Sequence, residues 1–444
     1  MGVILQAFYW DCPRLDHKEF QWWSHVAGQI PALRKAGFTA LWIPPASKAA
    51  NLEGPSMGYD PYDYYDLGDI DQKGSIDTWF GSKDDLLRLI QTAHENEMLV
   101  FADLVINHCS GGDGKEVNPL DHQERWTRFT PKSGKFFRDS KCFHPSPYET
   151  WDDGTFGDMP DLCHRDPYVY TQILEYSRWL LEDIGFDGFR YDCVKGYGGW
   201  MIRAIQELRA LRDGRAFKPF GAGECWDSDR VIGEWLDETN AWSDNPAGAF
   251  DFPLRDRLKD LCDTYGYSLK NLPAGGTLLT DRPLQAVTFA ENHDVARSNP
   301  ITQDKILAYA FILTHEGYPC VFWQDYFNWG LGKPESPNGI AALVRIHEDQ
   351  ASGPTRVLYA DNDLYVMQRE GIDGQKGLVL VINNRGDWWG GGRVQTRWRN
   401  TRFVPAAWSS RYDPAMPEEK RSDRDGVCDF WAAPRGYAVY LPRE

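Results

Sequence analysis

The chain lacks any apolar run near the roughly 18 to 20 residues that a membrane-spanning helix needs, and its opening stretch, VILQAFYW from Val3, has neither the basic flank nor the small-residue cleavage site of a secretory leader. No membrane partner is expected. Its nine cysteines form no CxxC or CxxxC pair, and an odd, scattered set argues against both a zinc ribbon and a full disulfide framework. Free thiols in a reducing compartment, hence a cytoplasmic location, are the expectation. Clusters of Lys and Arg are missing too: 48 basic residues against 65 acidic ones leave a net charge of -17, which repels phosphate backbones and anionic lipid. Nucleic acid is therefore not an expected partner, and the chain is expected to act as a monomer on a neutral ligand. No GxGxxG follows the first strand-like run and no P-loop occurs, so nucleotide-binding sheets are disfavoured. Low-complexity segments are absent, and with 42% hydrophobic residues the chain should be globular.

Aromatic residues are plentiful, with 19 Trp, 21 Tyr and 22 Phe. They suit stacking on the C–H faces of sugar rings, and they equally suit a large aromatic core. Short apolar runs bounded by Gly, Pro or acidic residues alternate with amphipathic stretches, the pattern of repeated β/α units. Eight strands are predicted: VILQAFYW from Val3, TALWIPP from Thr39, MLVFADLVIN from Met98, FDGFRYD from Phe186, KPFGAGEC from Lys218, GAFDF from Gly248, QAVTFAEN from Gln285 and YPCVFW from Tyr318. Helices are predicted from Ser82 to Glu97, Tyr168 to Asp183, Leu254 to Thr264 and Gln303 to His315. In the first, Ser82 and Asp85 make an N-cap pair and Leu86, Leu89, Ile90 and Ala93 form one apolar face. The expected architecture is a (β/α)8 TIM barrel in preference to an open sheet, with chemistry at the C-terminal strand ends.

One connection, of about 55 residues after the third strand, far exceeds an ordinary βα loop. Past Gln350 the pattern becomes hairpin-like (DLYVMQRE, KGLVLVINN, GYAVYLPRE). The predicted division is a barrel over 1–108 and 165–350, an inserted subdomain over 109–164, and a C-terminal antiparallel β domain over 351–444.

Four apolar runs end in chemistry-bearing side chains: Asp103, Asn107 and His108; Arg190, Asp192 and Lys195; Glu224; Glu291, His293 and Asp294. Core packing does not ask for this, because unpaired charges are costly to bury. The stretches DLVINH, GFRYDCVKG, GECWD and FAENHD, in that order, together with GYDPYDYYDLG, closely resemble the short sequence regions of the α-amylase family of glycoside hydrolases. The resemblance covers the barrel and insertion; the C-terminal domain matches only in kind.

That resemblance implies an endo-acting, retaining hydrolase of α-1,4-glucosidic bonds in starch, glycogen and maltooligosaccharides. Asp192 is implied as nucleophile, Arg190 as the cation keeping it ionised, Glu224 as acid and later base, and Asp294 as the acid that binds sugar hydroxyls. Such chemistry needs two carboxyl groups about 5 to 5.5 Å apart, which adjacent barrel strands supply. His108 and His293 are implied as partners of hydroxyls on the same sugar, Tyr59 as its stacking platform, and Lys195 as a contact on the leaving-group side or a surface salt bridge.

The resemblance also implies a structural calcium, held by Asn107, Asp152, the Gly154 carbonyl, Asp161 and the Gly196 carbonyl, since calcium takes six to eight oxygens. The segment WDDGTFGDMPDLCH looks like that of archaeal and plant-type α-amylases. Zinc is a further implied metal, at Cys163 and His144, with Glu149 standing where another His ligand is expected. Two departures from the common pattern, Glu291 for Asp and Val295 for Thr, spare the acid itself. Trp388 and Trp389 are either a surface sugar platform or packing. Still open are a relative that transfers glycosyl groups or acts on other α-glucosides, and a noncatalytic sugar-binding barrel; the latter tends to lose an acid, whereas all three are present.

Overall fold

A computed structural model describes residues 2–12, 21–50, 56–372 and 374–443. All eight predicted strands form: β1 (Ile4–Gln6), β2 (Ala40–Ile43), β3 (Leu99–Leu104), β4 (Gly188–Tyr191), β5 (Phe220–Gly223), β6 (Gly248–Phe250), β7 (Ala286–Phe289) and β8 (Tyr318–Phe322). They close into a barrel in chain order. Their near-continuous apolar sequences follow from burial on both faces, by side chains within and helices outside. Small residues in β5 let those helices approach: a Cβ on Gly223 would fall 2.3 Å from the Trp235 ring.

The helices follow local rules. Lys83–Glu95 starts at Ser82, whose side chain accepts the Asp85 N–H, and buries Leu86, Leu89, Ile90 and Ala93 as predicted. The helix predicted from Tyr168 runs over Pro167–Trp179, continues as the π-turn Leu180–Ile184 and stops at Gly185, whose φ of 102° suits glycine. Phe252–Asp263 is capped by the Asp251 side chain. The helix predicted from Gln303 begins only at Ile306, because the Asp263 carboxylate takes the backbone N–H groups of Thr302 and Gln303.

By packing, the chain divides into two compact units. One, Ala7–Ala32 with Ala40–Phe250, carries β2 to β6 and the insertion; the other, Met1–Gln6, Leu33–Thr39 and Asp251–Glu444, carries β1, β7, β8 and the C-terminal strands. In the first unit, the insertion contributes the hairpin Gly114–Val117 with Glu124–Arg128. Its buried Arg138 donates to the Tyr62 carbonyl at 2.5 Å and lies 4.5 Å over the Phe129 ring.

In the second unit, the helix Ile340–Gln350 gives way to antiparallel strands β9 (Thr355–Ala360), β10 (Leu364–Arg369), β11 (Leu378–Asn383), β12 (Gly390–Gln395), β13 (Arg402–Ser410), β14 (Lys420–Arg421), β15 (Val427–Ala432) and β16 (Gly436–Arg443). The six-stranded sheet runs β9-β10-β11-β16-β13-β14, with β12 and β15 paired separately over a core that includes Val381, Phe403, Phe430 and Tyr440. Arg435 ties this domain down, donating to Asp304 at 2.8 Å and to the Cys262 carbonyl at 2.6 Å. Among the described residues no helix is long and apolar enough to cross a membrane.

His315 is buried against this domain, with Nδ1 donating to the Phe311 carbonyl (2.8 Å) and Nε2 accepting from the Tyr365 hydroxyl (2.9 Å). Burial holds the imidazole neutral, pulling its pKa from 6.5 down to about 4. A depressed histidine contributes stability above the unfolded pKa and loses it as pH falls towards the folded one. Between about pH 6.5 and about pH 4, His315 should therefore account for a stability loss of about 1.4 kcal/mol per pH unit. Denaturant unfolding at stepped pH should show a shallower acid slope for His315→Gln; identical slopes would contradict this.

Candidate active site

In the first unit, strand register assembles the charged groups. Asp103 in β3 pairs with Arg190 in β4, while β4 and β5 align Tyr191 with Gly223, so the residues just beyond them, Asp192 and Glu224, emerge side by side. Arg190 Nη1 donates to Asp103 Oδ1 (2.9 Å) and Asp192 Oδ1 (2.5 Å), and its Nη2 forms an ion pair with Glu224 Oε2 (2.8 Å). The guanidinium is 3% exposed and lies 5.1 Å over the Trp42 ring. Asp103 Oδ2 accepts from Trp42 Nε1 (3.0 Å) and the Tyr59 hydroxyl (2.8 Å). Burial outweighs these favourable contacts and pushes the Asp103 pKa up to about 6, with the Glu224 charge adding to the rise. The surrounding carboxylates hold Arg190 firmly protonated despite its burial.

Cys193 has φ of +47°. That turn aims its backbone N–H at Glu224 Oε2, at 3.1 Å. The Tyr197 hydroxyl donates to the Asp192 carbonyl at 3.0 Å, steadying the same turn.

Around this cluster, Tyr59 stacks on Trp10 with ring centroids 6.1 Å apart. His108 is buried, donates from Nε2 to the Tyr59 carbonyl (2.8 Å) and accepts at Nδ1 from Asn107 (3.2 Å), so protein groups engage both ring nitrogens. Phe156 covers its face at 4.7 Å, nearly parallel. Lys195 makes a half-exposed contact, donating to the Trp226 carbonyl (2.9 Å) and pairing with Asp227 (3.2 Å).

The second unit carries Asp294 and His293 beyond β7. His293 Nε2 lies 3.2 Å from Asp294 Oδ2 and its Nδ1 lies 2.9 Å from Gln6 Nε2. With the Gln6 amide donating, the imidazole proton faces Asp294. Glu291, by contrast, is withdrawn from the surface and pairs with Arg255 and Lys305. Of the Trp pair, Trp388 is 68% exposed, while Trp389 is anchored to Asp413 at 2.7 Å.

A metal cradle lies at the two ends of the insertion. Asn107 Oδ1 and both Asp161 carboxylate oxygens are buried without a hydrogen-bond partner. A Cβ on Gly154 would fall 2.4 Å from Asp161 Oδ1, 2.7 Å from the Gly196 carbonyl and 2.8 Å from Asp152 Oδ1, and one on Gly196 would fall 1.9 Å from Asn107 Oδ1. Oxygens from four residues thus crowd one space that only glycines leave open. The Gly154 carbonyl itself accepts from Asn107 Nδ2 at 2.7 Å. Burial and the neighbouring Asp152 charge push the Asp161 pKa up to about 8, and His144, 3.1 Å from Asp152 Oδ2, offsets only part of that rise. His144, Asp152 and Asp161 form one potential metal-binding group, and His144, Glu149 and Cys163 a second that shares the histidine.

Sequence reasoning gave no role to Trp10, Trp42, Phe156 or the Cys193 amide. Only Asp103 carried a signal, as the acid opening DLVINH.

A closed parallel barrel with carboxylates gathered at its strand ends defines the class, and comparison with known proteins narrows it. The model of the alpha-amylase catalytic domain matches residues 21–212. The alpha-amylase of Geobacillus stearothermophilus is 30% identical over 86% of this chain and 76% of its own length. The cytoplasmic alpha-amylase of Escherichia coli (strain K12) is 30% identical over 87% and 88%, and probable alpha-amylase 2 of Arabidopsis thaliana 29% identical over 89% and 91%. The solved alpha-amylase of Geobacillus thermoleovorans, complexed with acarbose, shares the fold at a TM-score of 0.71 and 20% identity, covering 100% of this chain and 98% of that one. The chain belongs to the alpha-amylase family of glycoside hydrolases.

A guanidinium can hold three carboxylates in a plane, whereas an ammonium is a single point of charge. Arg190→Lys should lower kcat by about a hundredfold or more in folded protein. Initial-rate kinetics beside a far-UV spectrum check this; a loss below about threefold would contradict it.

Proposed function

We propose that this chain is an endo-acting, retaining hydrolase of α-1,4-glucosidic bonds in starch, glycogen and maltooligosaccharides. The observation carrying the reading is that Asp192 and Glu224 share one buried guanidinium, with Glu224 Oε2 facing two donors, Arg190 and the Cys193 N–H.

Asp192 attacks the anomeric carbon while Glu224 delivers its proton to the departing glycosidic oxygen, leaving a glycosyl ester on Asp192. Glu224, now a carboxylate, takes a proton from water as that water attacks the same carbon. The ester breaks, Asp192 is released, and the configuration is restored. Asp294 and His293 bind hydroxyls of the reacting sugar more tightly in the transition state than in the relaxed ring. Tyr59 and His108 form its wall, and Lys195 contacts the leaving-group side.

Glycosyl transfer shares the same ester and differs only in whether a sugar hydroxyl or water resolves it. A solved cyclomaltodextrin glucanotransferase has this fold, at a TM-score of 0.71 and 20% identity. Product analysis on soluble starch and maltooligosaccharides separates the outcomes. The nine cysteines form no disulfide, which supports a cytoplasmic location.

Asp192→Asn and Glu224→Gln should each lower kcat on starch by several orders of magnitude, because each removes stabilisation made mainly in the transition state. Product released in the first seconds should be the α anomer by NMR. A β product, or near-normal turnover by Glu224→Gln, would reject the assignment.

We further assign calcium to the cradle of Asn107, Asp152, Asp161 and the Gly196 and Gly154 carbonyls. All are hard oxygen donors, the set calcium prefers, and the unpartnered oxygens of Asn107 and Asp161 support it. The cation would neutralise the two aspartates and fasten the insertion. The mixed donors His144, Glu149 and Cys163 suit zinc better. At a hundred times Kd, calcium should stabilise by about 2.7 kcal/mol. Long incubation with chelator should lower the Tm and added calcium restore it, with Asp161→Ala blunting the response. Fully active protein without calcium, and a Tm indifferent to chelator, would overturn the assignment.

A further inference from the structure

Asp294 and His293 sit in a turn whose only regular structure is the short helix Val295–Ser298. Inside it, Asn292 Oδ1 accepts the N–H groups of Asp294 (2.9 Å) and Val295 (2.8 Å). Outside it, one face of the helix Phe252–Asp263 holds both ends of the turn. Arg255, Lys259 and Asp263 recur every four residues and so project from the same side. Arg255 Nε donates to the Ala290 carbonyl at 3.2 Å and its Nη2 to the Asn299 carbonyl. Lys259 donates to the Pro300 carbonyl at 2.6 Å. Asp263 accepts the Thr302 N–H at 2.9 Å and the Gln303 N–H at 2.8 Å.

Glu291 joins the two ends directly. Its Oε1 accepts the Ile301 N–H at 2.5 Å and pairs with Lys305 at 3.2 Å, while Oε2 pairs with Arg255 at 3.2 Å. Lys305 continues to Asp325 at 2.8 Å, and the Tyr309 hydroxyl donates to the same carboxylate. Arg255 and Glu291 have fully buried side chains, so Arg255, Lys305, Glu291 and Asp325 form a balanced set of two cations and two anions in low dielectric.

We propose that Glu291, held between Arg255 and Lys305, is a positioning residue: it closes the turn from Glu291 to Ile301 and so sets where Asp294 and His293 stand. The proposal rests on the reading of Asp294 as an acid acting in the transition state. Geometry of that kind is exacting, since a displacement of about 1 Å can cost about a hundredfold in rate.

The test compares the full chain with Glu291→Gln and Glu291→Asp, by starch kinetics and hydrogen exchange over residues 292–303. Glu291→Gln keeps the size and removes the charge. Its kcat should fall about thirtyfold or more while KM stays within about threefold, and exchange in the segment should quicken. Glu291→Asp, which restores the charge, should recover a large part of kcat; a role confined to stability would lower the Tm of Glu291→Gln and leave kcat per folded molecule unchanged. A folded Glu291→Gln protein with kcat within about twofold of the parent, or with unaltered exchange over 292–303, overturns the proposal. If Glu291→Gln does not fold, Lys259→Met decides in its place. It loosens the turn without touching the buried pair, and should lower kcat about threefold to tenfold at constant KM; an unchanged kcat overturns the proposal. Asp294→Asn is measured in parallel. Near-normal turnover in that variant would mean that the reading of Asp294 has failed, and the exchange data alone would then judge the clamp.

Discussion

One buried guanidinium organises the chemistry of this protein. Arg190 is bound at once to Asp103, Asp192 and Glu224, and three carboxylates around one cation carry an excess of negative charge that a low-dielectric site tolerates poorly. The raised pKa of Asp103 comes first from burial, which outweighs its bonds to Arg190 and Tyr59, and the Glu224 charge adds to it. A site needing one carboxylate charged and one protonated obtains both from the same imbalance. The supports follow from it: Trp42 lies against the guanidinium, while Trp42 and Tyr59 occupy the far oxygen of Asp103, so Arg190 is left facing the two carboxylates beyond the strand ends.

The insertion poses the same electrostatic problem with the opposite remedy. Asp152 and Asp161 meet beside the His144 imidazole, 3.1 Å from Asp152 Oδ2, and Asn107 and the Gly196 carbonyl add only oxygen. The proposed calcium would supply there what Arg190 supplies at the strand ends. Because Asn107 directly precedes His108, which binds the Tyr59 carbonyl, order in the cradle bears on the wall of the proposed sugar site.

Much of this was legible in the sequence, for identifiable reasons. The barrel strands were visible because strands buried on both faces need continuous apolar runs, and the first helix because Ser82 and its apolar face obey local rules. Asp192 and Glu224 were visible because a charge ending an apolar run stands out. Where tertiary contacts overrode local signals, legibility ended: the helix predicted from Gln303 is delayed to Ile306 by Asp263, distant in sequence. Glu291 read as one more strand-end acid, yet it turns inward to Arg255 and Lys305, partners that no local pattern announces. The stacks of Trp10 on Tyr59 and of Phe156 on His108 were illegible for the same reason, since they join segments about 50 residues apart.

Arg190 is proposed to hold Asp192 as the nucleophile beside Glu224 as the acid. The most direct measurement is to trap the first covalent species with a fluorinated glycosyl fluoride that forms the ester readily and hydrolyses slowly, then map it by peptide mass spectrometry. One glycosyl unit per chain is expected, on the peptide containing Asp192 and on its carboxylate. A label on any other residue, or no covalent species in an enzyme that the reagent inactivates, would contradict it.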